Sequence, residues 1–371
     1  GLNKSFFSYT LLGEVMKKII VVIMLILVMP INVFGLSLSC RSCVLMDSDS
    51  GRVLYEKDKD NPRLIASITK IMTAILAIES GRLEEEVTVG EEVLTMYGSN
   101  IYIELGEKMK LLDMVYGLML RSGNDAAIVI AYFIGGSEEN FVKMMNDKAK
   151  EIGMTNTVFN NPHGLDEVTQ NKSTAYDMAL LSSYASHNDT YMKIVGTKKY
   201  SVQTDKKSYL WYNRNKLLGS YSYATGGKTG YTPSAGRTLV TNASHNNLNL
   251  TAVTLNDGNE YISHETMYNY GFENYKNYVI LDKNKFKVDN AYYPNQIYIK
   301  ESFKYPLTEV EKENVKVLVK LTKLDKINDN DEVGIVIVKL AGREIYSEKV
   351  YVRVNKEKKN FFQKIWSWLF D

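Results

Sequence analysis

The first part of the chain combines strand-like and helix-like patterns of apolar residues. Cys43–Asp47 and Arg52–Glu56 alternate apolar and polar positions around a glycine-containing turn, which predicts a β-hairpin. From Ala66 to Ser80 the chain has neither proline nor glycine, and its apolar residues would cover most of a helix surface. This segment predicts a buried helix, and helical patterns continue to about Tyr184.

Strand patterns return in the second half of the chain. They lie at Tyr200–Val202, Lys228–Thr229, Arg237–Thr241 and Asn249–Leu255. Strands on both sides of a helical middle predict an antiparallel sheet flanked by helices. The fold class is therefore expected to be α+β.

The region after about Asp282 contains mainly strand patterns. Val315–Leu321, Glu332–Leu340 and Glu344–Val354 alternate or run apolar, with a turn between the last two segments. We therefore expect one large domain over residues 36–278 and a second, small all-β domain over residues 282–355.

Residues 16–35 have the order of features typical of a secretory signal peptide. Met16-Lys17-Lys18 is followed by the apolar run Ile19–Met29 and then by small residues near Gly35. A retained membrane anchor is the alternative, but the run has only about half of the roughly 20 residues that cross a bilayer. Residues 1–15 precede Met16 and are expected to be an over-extended start or vector sequence.

The last segment, residues 356–371, is rich in aromatic residues and lysine. Asn360–Phe370 is too short to span a bilayer and follows the basic stretch Lys356–Lys359. This composition predicts an amphipathic helix that anchors the protein at a membrane surface, whereas a helix packed on the protein is the alternative. The leader and the tail together predict an exported protein on the outer face of the plasma membrane, bound peripherally.

Composition narrows the function classes. Lys plus Arg number 45 and Asp plus Glu 43, and a net charge of +2 gives no reason to expect a nucleic-acid partner. Cys40 and Cys43 have no second cysteine pair, and the 4 histidines are scattered, which argues against a metal site. The two cysteines are expected to be free thiols or one local disulfide. No cofactor is expected.

Ser67-Ile68-Thr69-Lys70 is the first of three short motifs that carry candidate chemistry. Residues three apart share a helix face, so the Lys70 amine can reach the Ser67 hydroxyl near the helix N-terminus. Burial and nearby cations lower the pKa of a lysine enough for it to act as a base. The motif predicts a lysine-activated serine nucleophile, and the alternative is a helix cap beside a surface lysine.

Ser122-Gly123-Asn124 is the second motif and lies between the helical stretches Leu111–Leu120 and Asp125–Phe133. Ser122 is a candidate for passing a proton between Lys70 and a leaving group. Asn124 has both an acceptor and donors, so it can orient Lys70 and hold a substrate amide. The alternative is an ordinary turn between helices, which commonly contains these residue types.

Lys228-Thr229-Gly230 is the third motif and lies within the glycine-rich segment Ala224–Thr232. Glycines in a strand favour close approach of another backbone, as when a peptide lies along a sheet edge. Lys228 and Thr229 are then candidates for holding a terminal carboxylate. The alternative is a flexible hairpin with a solvated lysine.

The three motifs together supply the groups of a serine acyl-transferase that uses lysine as its base. With the flanking segments Asn161–Asp166 and Ser173–Ala179, they resemble the low-molecular-weight penicillin-binding proteins that are serine-type D-Ala-D-Ala carboxypeptidases, of the peptidase S11 type. The resemblance runs from about residue 42 to 275. It implies a β-lactamase/transpeptidase-like fold and an enzyme of cell-wall maturation.

The resemblance implies the substrate, the inhibitors and the site. The enzyme would remove the terminal D-alanine from peptidoglycan stem pentapeptides through an acyl-enzyme, and β-lactam antibiotics would inhibit it. The implied catalytic residues are the nucleophile Ser67, the base Lys70 and the relay Ser122. The implied substrate-binding residues are Asn124, Lys228, Thr229, Gly230 and Tyr231. The backbone N–H groups of Ser67 and Tyr231 would form the oxyanion hole.

The loop Asp257–Tyr261 departs from the family pattern. Relatives often carry an arginine there, whereas this chain reads Asp-Gly-Asn-Glu-Tyr. A contact between this loop and the substrate carboxylate is therefore expected to be missing.

Two other functions remain open from the sequence. A β-lactamase-like hydrolase shares the three motifs but needs a second base, usually within Glu-x-x-Leu-Asn, and no such string lies between Asn124 and Lys228. A catalytically idle wall-binding protein is the other alternative, although it would have no need to retain every polar residue of the three motifs.

Overall fold

The computed structural model describes residues 35–294 and 296–354 of the 371-residue chain. The strands are β1 Ser42–Asp47, β2 Val53–Lys57, β3 Arg63–Leu64, β4 Glu86–Thr88, β5 Lys108–Lys110, β6 Lys172–Ser173, β7 Lys199–Gln203, β8 Ser208–Tyr212, β9 Ala224–Thr232, β10 Gly236–His245, β11 Leu248–Leu255, β12 Lys276–Leu281, β13 Ile297–Tyr298, β14 Phe303–Leu307, β15 Val315–Leu321, β16 Glu332–Leu340 and β17 Arg343–Val352.

The helices connect these strands. They are α1 Lys70–Glu79, α2 Leu111–Arg121, α3 Asn124–Gly135, α4 Glu138–Ile152, α5 Ala175–Ser186, α6 Asp189–Gly196, α7 Leu217–Ser220, α8 Glu260–Asn274 and α9 Glu309–Lys312, with 3₁₀ turns at Ala66–Thr69 and Glu91–Thr95. The predicted helical middle of the chain is therefore confirmed.

The main sheet has the antiparallel order β2-β1-β11-β10-β9, so its two ends come from distant parts of the chain. Adjacent residues of a strand point to opposite faces. On β1, Met46 contacts Ser183 of α5, whereas its neighbour Leu45 lies against Gly271 of α8. Helices thus cover both faces of the sheet, which explains why β1 is buried along its whole length. The expected α+β class is confirmed.

Helix α1 lies in the centre of the helical layer. Its residues from Lys70 to Ile78 are all buried, as the apolar pattern of this segment predicts. The N-terminal end of α1 approaches the edge strand β9 through the 3₁₀ turn Ala66–Thr69. The first and third motifs therefore meet at this edge of the sheet.

The C-terminal region forms its own sheet, in the order β13-β17-β16-β15, and a ribbon of β12 and β14. The three strands predicted for this region are present as β15, β16 and β17. They bury an apolar cluster that is separate from the core of the first region and includes Val336, Val338 and Val350. The expected boundary between the two domains, near residues 278–282, overlaps strand β12. The division of the chain into two domains stays a prediction. Arg52 joins the two regions, because its guanidinium donates to the carbonyl of Pro306 and pairs with Glu311.

Both chain ends predicted to have special roles fall largely outside the described residues. These are residues 1–15, the leader 16–35 except Gly35, and the tail 356–371. Within residues 35–294 and 296–354, none of the helices combines the length and apolar character needed to cross a membrane.

Cys40 and Cys43 are free thiols in this structure and are both buried. Their exposed fractions are 1% and 0%. The hydrogen bond to Cys40 and burial raise the pKa of the Cys43 thiol. Of the two expected states, the structure has the reduced one.

Candidate active site

Ser67 lies in the 3₁₀ turn that leads into α1. The preceding residue, Ala66, has a φ of +49°, a left-handed conformation that is costly for a residue with a side chain. Strand β9 approaches from the other side: a β-carbon at Gly230 would lie 2.9 Å from the backbone nitrogen of Ser67 and 2.4 Å from Thr238 Oγ1. A glycine at position 230 is therefore needed to bring the sheet edge to Ser67.

Lys70 is the first residue of α1 and is completely buried. Its Nζ lies 3.0 Å from Ser67 Oγ and 2.7 Å from Asn124 Oδ1, and it also donates to the backbone carbonyl of His163. Burial, followed by repulsion from Lys228, lowers the pKa of Lys70 well below its ordinary value. A lysine in this position is suited to receive a proton from the adjacent hydroxyl.

The loop Asn161–Asp166 supplies the His163 carbonyl and is held rigidly. Asn161 Oδ1 accepts from the backbone N–H of Gly164 at 2.7 Å, and Asn171 Nδ2 donates both to the Asn161 carbonyl and to Thr69 Oγ1 at 3.0 Å. Burial and the nearby Lys70 lower the pKa of His163 to about 3, so its imidazole is neutral at ordinary pH. The loop contributes a fixed acceptor to the site through its backbone.

Ser122 and Asn124 flank the break between α2 and α3, as the second motif predicts. Ser122 ends α2 in a left-handed conformation with a φ of +65° and is buried. Asn124 Nδ2 donates to the carbonyl of Tyr97 at 2.7 Å. This bond fixes the orientation of the amide, because it leaves the oxygen of Asn124 facing Lys70.

Strand β9 carries the third motif along the edge of the sheet. Lys228 is 1% exposed, and its Nζ donates to the carbonyl of Thr229 at 2.6 Å. Burial, followed by the nearby charge of Arg214, lowers the pKa of Lys228 to about 7. Thr229 and Tyr231 lie farther out on the strand and border open space.

A cavity of about 500 Å³ opens beside Ser67. It brings together Ser67, Ser122, Thr229, Gly230 and Tyr231 of the sequence-predicted site. Lys70 and Asn124 join this group through the hydrogen bonds to Ser67 and to each other. Lys228 lies next to the cavity but is turned toward its own strand.

Four cations around this cavity are absent from the sequence-predicted site. They are Arg121, Arg214, Lys216 and Arg237. A signal for Arg237 existed in the sequence, because it begins the predicted strand Arg237–Thr241 that follows the third motif. Only the strand register, which places Arg237 opposite Tyr231, shows that it reaches the site.

A second cavity, of about 260 Å³, also borders the candidate nucleophile. It shares Ser67, Ser99 and Tyr231 with the first cavity and is also lined by Asp166 and Glu167. Ser67 thus borders both a mainly basic cavity, whose lining includes the carboxylate Glu260, and an acidic cavity. Among the residues that the structure describes, no cluster of three or more potential ligands could hold a metal ion.

The sequence of this chain is similar to a known protein family and to proteins of known name. The model of the D-alanyl-D-alanine carboxypeptidase family, peptidase S11, matches residues 31–259. D-alanyl-D-alanine carboxypeptidase DacF of Bacillus subtilis strain 168 is 33% identical over 345 residues, which cover 86% of this chain and 87% of that protein. DacC of Escherichia coli K12 is 29% identical and covers 90% of this chain and 88% of its own length.

Solved structures with a similar fold cover a comparable share of the chain. Penicillin binding protein 5 from Haemophilus influenzae superposes with a TM-score of 0.74 at 27% identity, covering 85% of this chain and 97% of that one. Penicillin binding protein 6B from Escherichia coli gives a TM-score of 0.69 at 26% identity, with coverages of 86% and 97%. This chain therefore belongs to the peptidase S11 family of D-alanyl-D-alanine carboxypeptidases.

Proposed function

We propose that this enzyme removes the terminal D-alanine from peptidoglycan stem pentapeptides through an acyl-enzyme on Ser67. The observation that carries the proposal is the buried Lys70, whose Nζ lies 3.0 Å from Ser67 Oγ. Family membership supports the reaction, and the positions of Ser67, Lys70 and Asn124 support their roles.

Acylation begins with proton transfer from Ser67 to Lys70. A neutral amine has two N–H groups and one lone pair. Asn124 Oδ1 and the His163 carbonyl can only accept, so they take both N–H groups and leave the lone pair facing the Ser67 hydroxyl. Ser67 Oγ then attacks the carbonyl carbon of the penultimate D-alanine, and the proton passes to Lys70.

The tetrahedral intermediate places its negative charge near the N-terminal end of α1. The backbone N–H groups of Ser67 and Tyr231 are the proposed donors to this oxyanion. The C–N bond breaks when Ser122 relays the proton from Lys70 to the leaving amine, which departs as D-alanine. Water then attacks the ester and Lys70 accepts its proton. As the bond between the acyl carbon and Ser67 Oγ breaks, Lys70 returns this proton to Ser67 Oγ, and the peptide acid is released.

The opposite charges of the two cavities support one orientation of the peptide. The terminal carboxylate of the leaving D-alanine fits the cavity of about 500 Å³, which has Thr229 and several cations in its wall. The acyl portion of the peptide fits the cavity that contains Asp166 and Glu167. A β-lactam would acylate Ser67 in the same way, but its leaving nitrogen would stay attached to the acyl group.

We also propose that the enzyme is exported and works at the outer face of the plasma membrane. The sequence of residues 16–35 supports export, and the aromatic and basic tail 356–371 supports peripheral attachment. Truncation after residue 355 should move the protein from the membrane fraction to the soluble exported fraction. Retention of the truncated protein on membranes would contradict the proposed role of the tail.

The activity is tested by D-alanine release from a peptide ending in Lys-D-Ala-D-Ala. The wild type should release D-alanine, and Ser67→Ala should neither release it nor be labelled by a fluorescent penicillin. Labelling that survives this substitution would contradict the assignment of the nucleophile. Wild-type protein that binds penicillin but releases no D-alanine would contradict the proposed carboxypeptidase activity.

A further inference from the structure

The third motif, Lys228-Thr229-Gly230, does not by itself identify the cation that binds the substrate carboxylate. The ammonium of Lys228 is buried and donates to the carbonyl of Thr229. Its pKa is lowered to about 7 by burial and by Arg214, so it carries only part of a positive charge at neutral pH. A guanidinium keeps its charge throughout this range and can form two parallel hydrogen bonds to a carboxylate.

Arg237 presents such a guanidinium to the cavity. It lies on β10 directly opposite Tyr231 of β9, and its carbon Cζ is 5.9 Å from the centre of the Tyr231 ring. The side chain is 59% exposed and lines the same cavity as Ser67 and Thr229. It is therefore within the space that a peptide beside Thr229 would occupy.

Arg237 uses little of its hydrogen-bonding capacity in its contact with Glu260. Nη1 lies 3.4 Å from Oε1 of Glu260, which is longer than the roughly 2.7–2.9 Å of a strong charged hydrogen bond. Glu260 is only 11% exposed, lies at the start of α8 and lines the same cavity, so it can hold the guanidinium at the cavity wall. Glu260 belongs to the loop from which the expected family arginine is missing.

The other arginines of the cavity are engaged differently. Arg214 donates from Nη1 to Ser99 Oγ at 2.8 Å, on the side of the helical layer. Arg121 lies in the last turn of α2, where its charge is favoured by the helix dipole. Arg237 combines exposure, a weak partner and a place on the strand next to Thr229.

We propose that Arg237 is a specificity-determining residue that binds the terminal carboxylate of the peptide substrate, held toward the cavity by Glu260. This inference rests on the proposed carboxypeptidase function. In the complex the guanidinium exchanges its long contact with Glu260 for hydrogen bonds to the carboxylate, and Thr229 donates from the opposite strand. An enzyme built in this way prefers peptides with a free carboxyl terminus.

The test compares two substrates, a peptide ending in Lys-D-Ala-D-Ala and the same peptide with a C-terminal amide. Arg237→Gln should lower kcat/KM for the acid by about 10- to 100-fold, the usual effect of losing a charged hydrogen bond, and should change the amide by less than about threefold. Arg237→Lys should lie between the wild type and Arg237→Gln. The rate on the amide reports whether each variant is folded, because loss of structure would lower both rates.

Lys216→Gln is the matched control, since it removes another positive charge from the wall of the same cavity. It should leave the acid-to-amide ratio within about threefold of wild type. An unchanged ratio in Arg237→Gln, or a ratio that collapses in Arg214→Gln but not in Arg237→Gln, would overturn the inference. A wild type that hydrolyses acid and amide equally would overturn it while supporting the peptidase activity, and a wild type that hydrolyses neither would overturn the proposed function as well.

Discussion

Gly164 lies against the backbone of Ala66, the residue that precedes the nucleophile. A β-carbon at Gly164 would be 2.0 Å from the carbonyl oxygen of Ala66 and 3.0 Å from the nitrogen of Ser67. Gly164 has a φ of +89° and Ala66 one of +49°, so both backbones are left-handed where they meet. The position of Ser67 thus depends on close packing between two peptide backbones.

Gly164→Ala should therefore impair the nucleophile as well as the fold. The added methyl group must displace Ala66 and Ser67, and we expect penicillin acylation to slow by about 100-fold because catalytic geometry tolerates little displacement. Gly153→Ala is the control, because Gly153 also has a φ of +89° but no atom lies within 4 Å of its β-carbon position. Gly153→Ala should cost about 1–2 kcal/mol in urea unfolding and leave acylation unchanged. Equal acylation rates in the two variants would contradict this role of Gly164.

Replacing Lys70 by arginine should separate its charge from its basicity. Arginine keeps hydrogen-bond donors but does not lose its proton in proteins, so Lys70→Arg cannot deprotonate Ser67. We expect the rate of fluorescent-penicillin labelling to fall by about 10²- to 10⁴-fold. The exposed Lys110→Arg is the control and should label at the wild-type rate, and thermal melting checks that both variants are folded. Fast labelling of folded Lys70→Arg would show that Lys70 is not the base.

The charge of Lys228 should affect the pH at which Lys70 becomes active. Repulsion from Lys228 helps to lower the pKa of Lys70, after the larger effect of burial. Lys228→Met removes this repulsion, so the pKa of Lys70 rises and the acidic limb of the acylation rate moves to higher pH. Lys228→Arg carries a full positive charge at every relevant pH, so the limb should not move to higher pH. The position of the limb is the measurement, and a limb that does not move in Lys228→Met would contradict the coupling.

Acid should destabilise the protein partly through His264. This imidazole is buried between Thr241 and Thr254, and burial lowers its pKa to about 3, against about 6.5 in an unfolded chain. Between these values the unfolded chain binds the extra proton, so the free energy of unfolding decreases as pH falls from about 6.5 to 3.

His264→Gln should remove part of this pH dependence, up to about 1.4 kcal/mol per pH unit. Urea unfolding at pH 4, 5 and 7 provides the measurement. His187→Gln is the control, because His187 is exposed, and it should leave the dependence as in the wild type. A wild-type slope in His264→Gln would exclude His264 as a source of acid sensitivity.

The sequence was sufficient to predict the contact between Ser67 and Lys70 and the type of fold. Ser67 lies in the 3₁₀ turn that leads into α1 and Lys70 is the first residue of α1, so a spacing of three residues still brings their side chains together. The strands of the main sheet follow from alternating apolar residues, and the register then determines which side chains share a face. The structure confirms the fold class and the contact between Ser67 and Lys70, whereas the role of each site residue stays a prediction until it is measured.

The parts that sequence analysis missed depend on contacts between distant segments. Strand β8, Ser208–Tyr212, was missed and pairs with β7, which contains the expected strand around Tyr200. Its residues alternate in burial but not in polarity, so the sequence pattern did not indicate it. The His163 carbonyl enters the site through its backbone, and no side-chain pattern reports such a contact. Arg237 reaches the cavity because β10 pairs with β9, and its charge alone did not distinguish it from surface arginines.

The buried thiol of Cys43 makes an interior strand of the main sheet chemically observable. Strand β1, which carries Cys43, is paired with β2 on one side and β11 on the other. Cys43 shares a face of β1 with Leu45, which lies against Gly271 of α8, so a thiol reagent can reach Cys43 only when this packing opens. Its rate of alkylation therefore reports how often this part of the sheet is uncovered. The native protein therefore contains its own probe of local unfolding, and the rate with and without a bound β-lactam measures whether acylation at Ser67 stabilises the sheet.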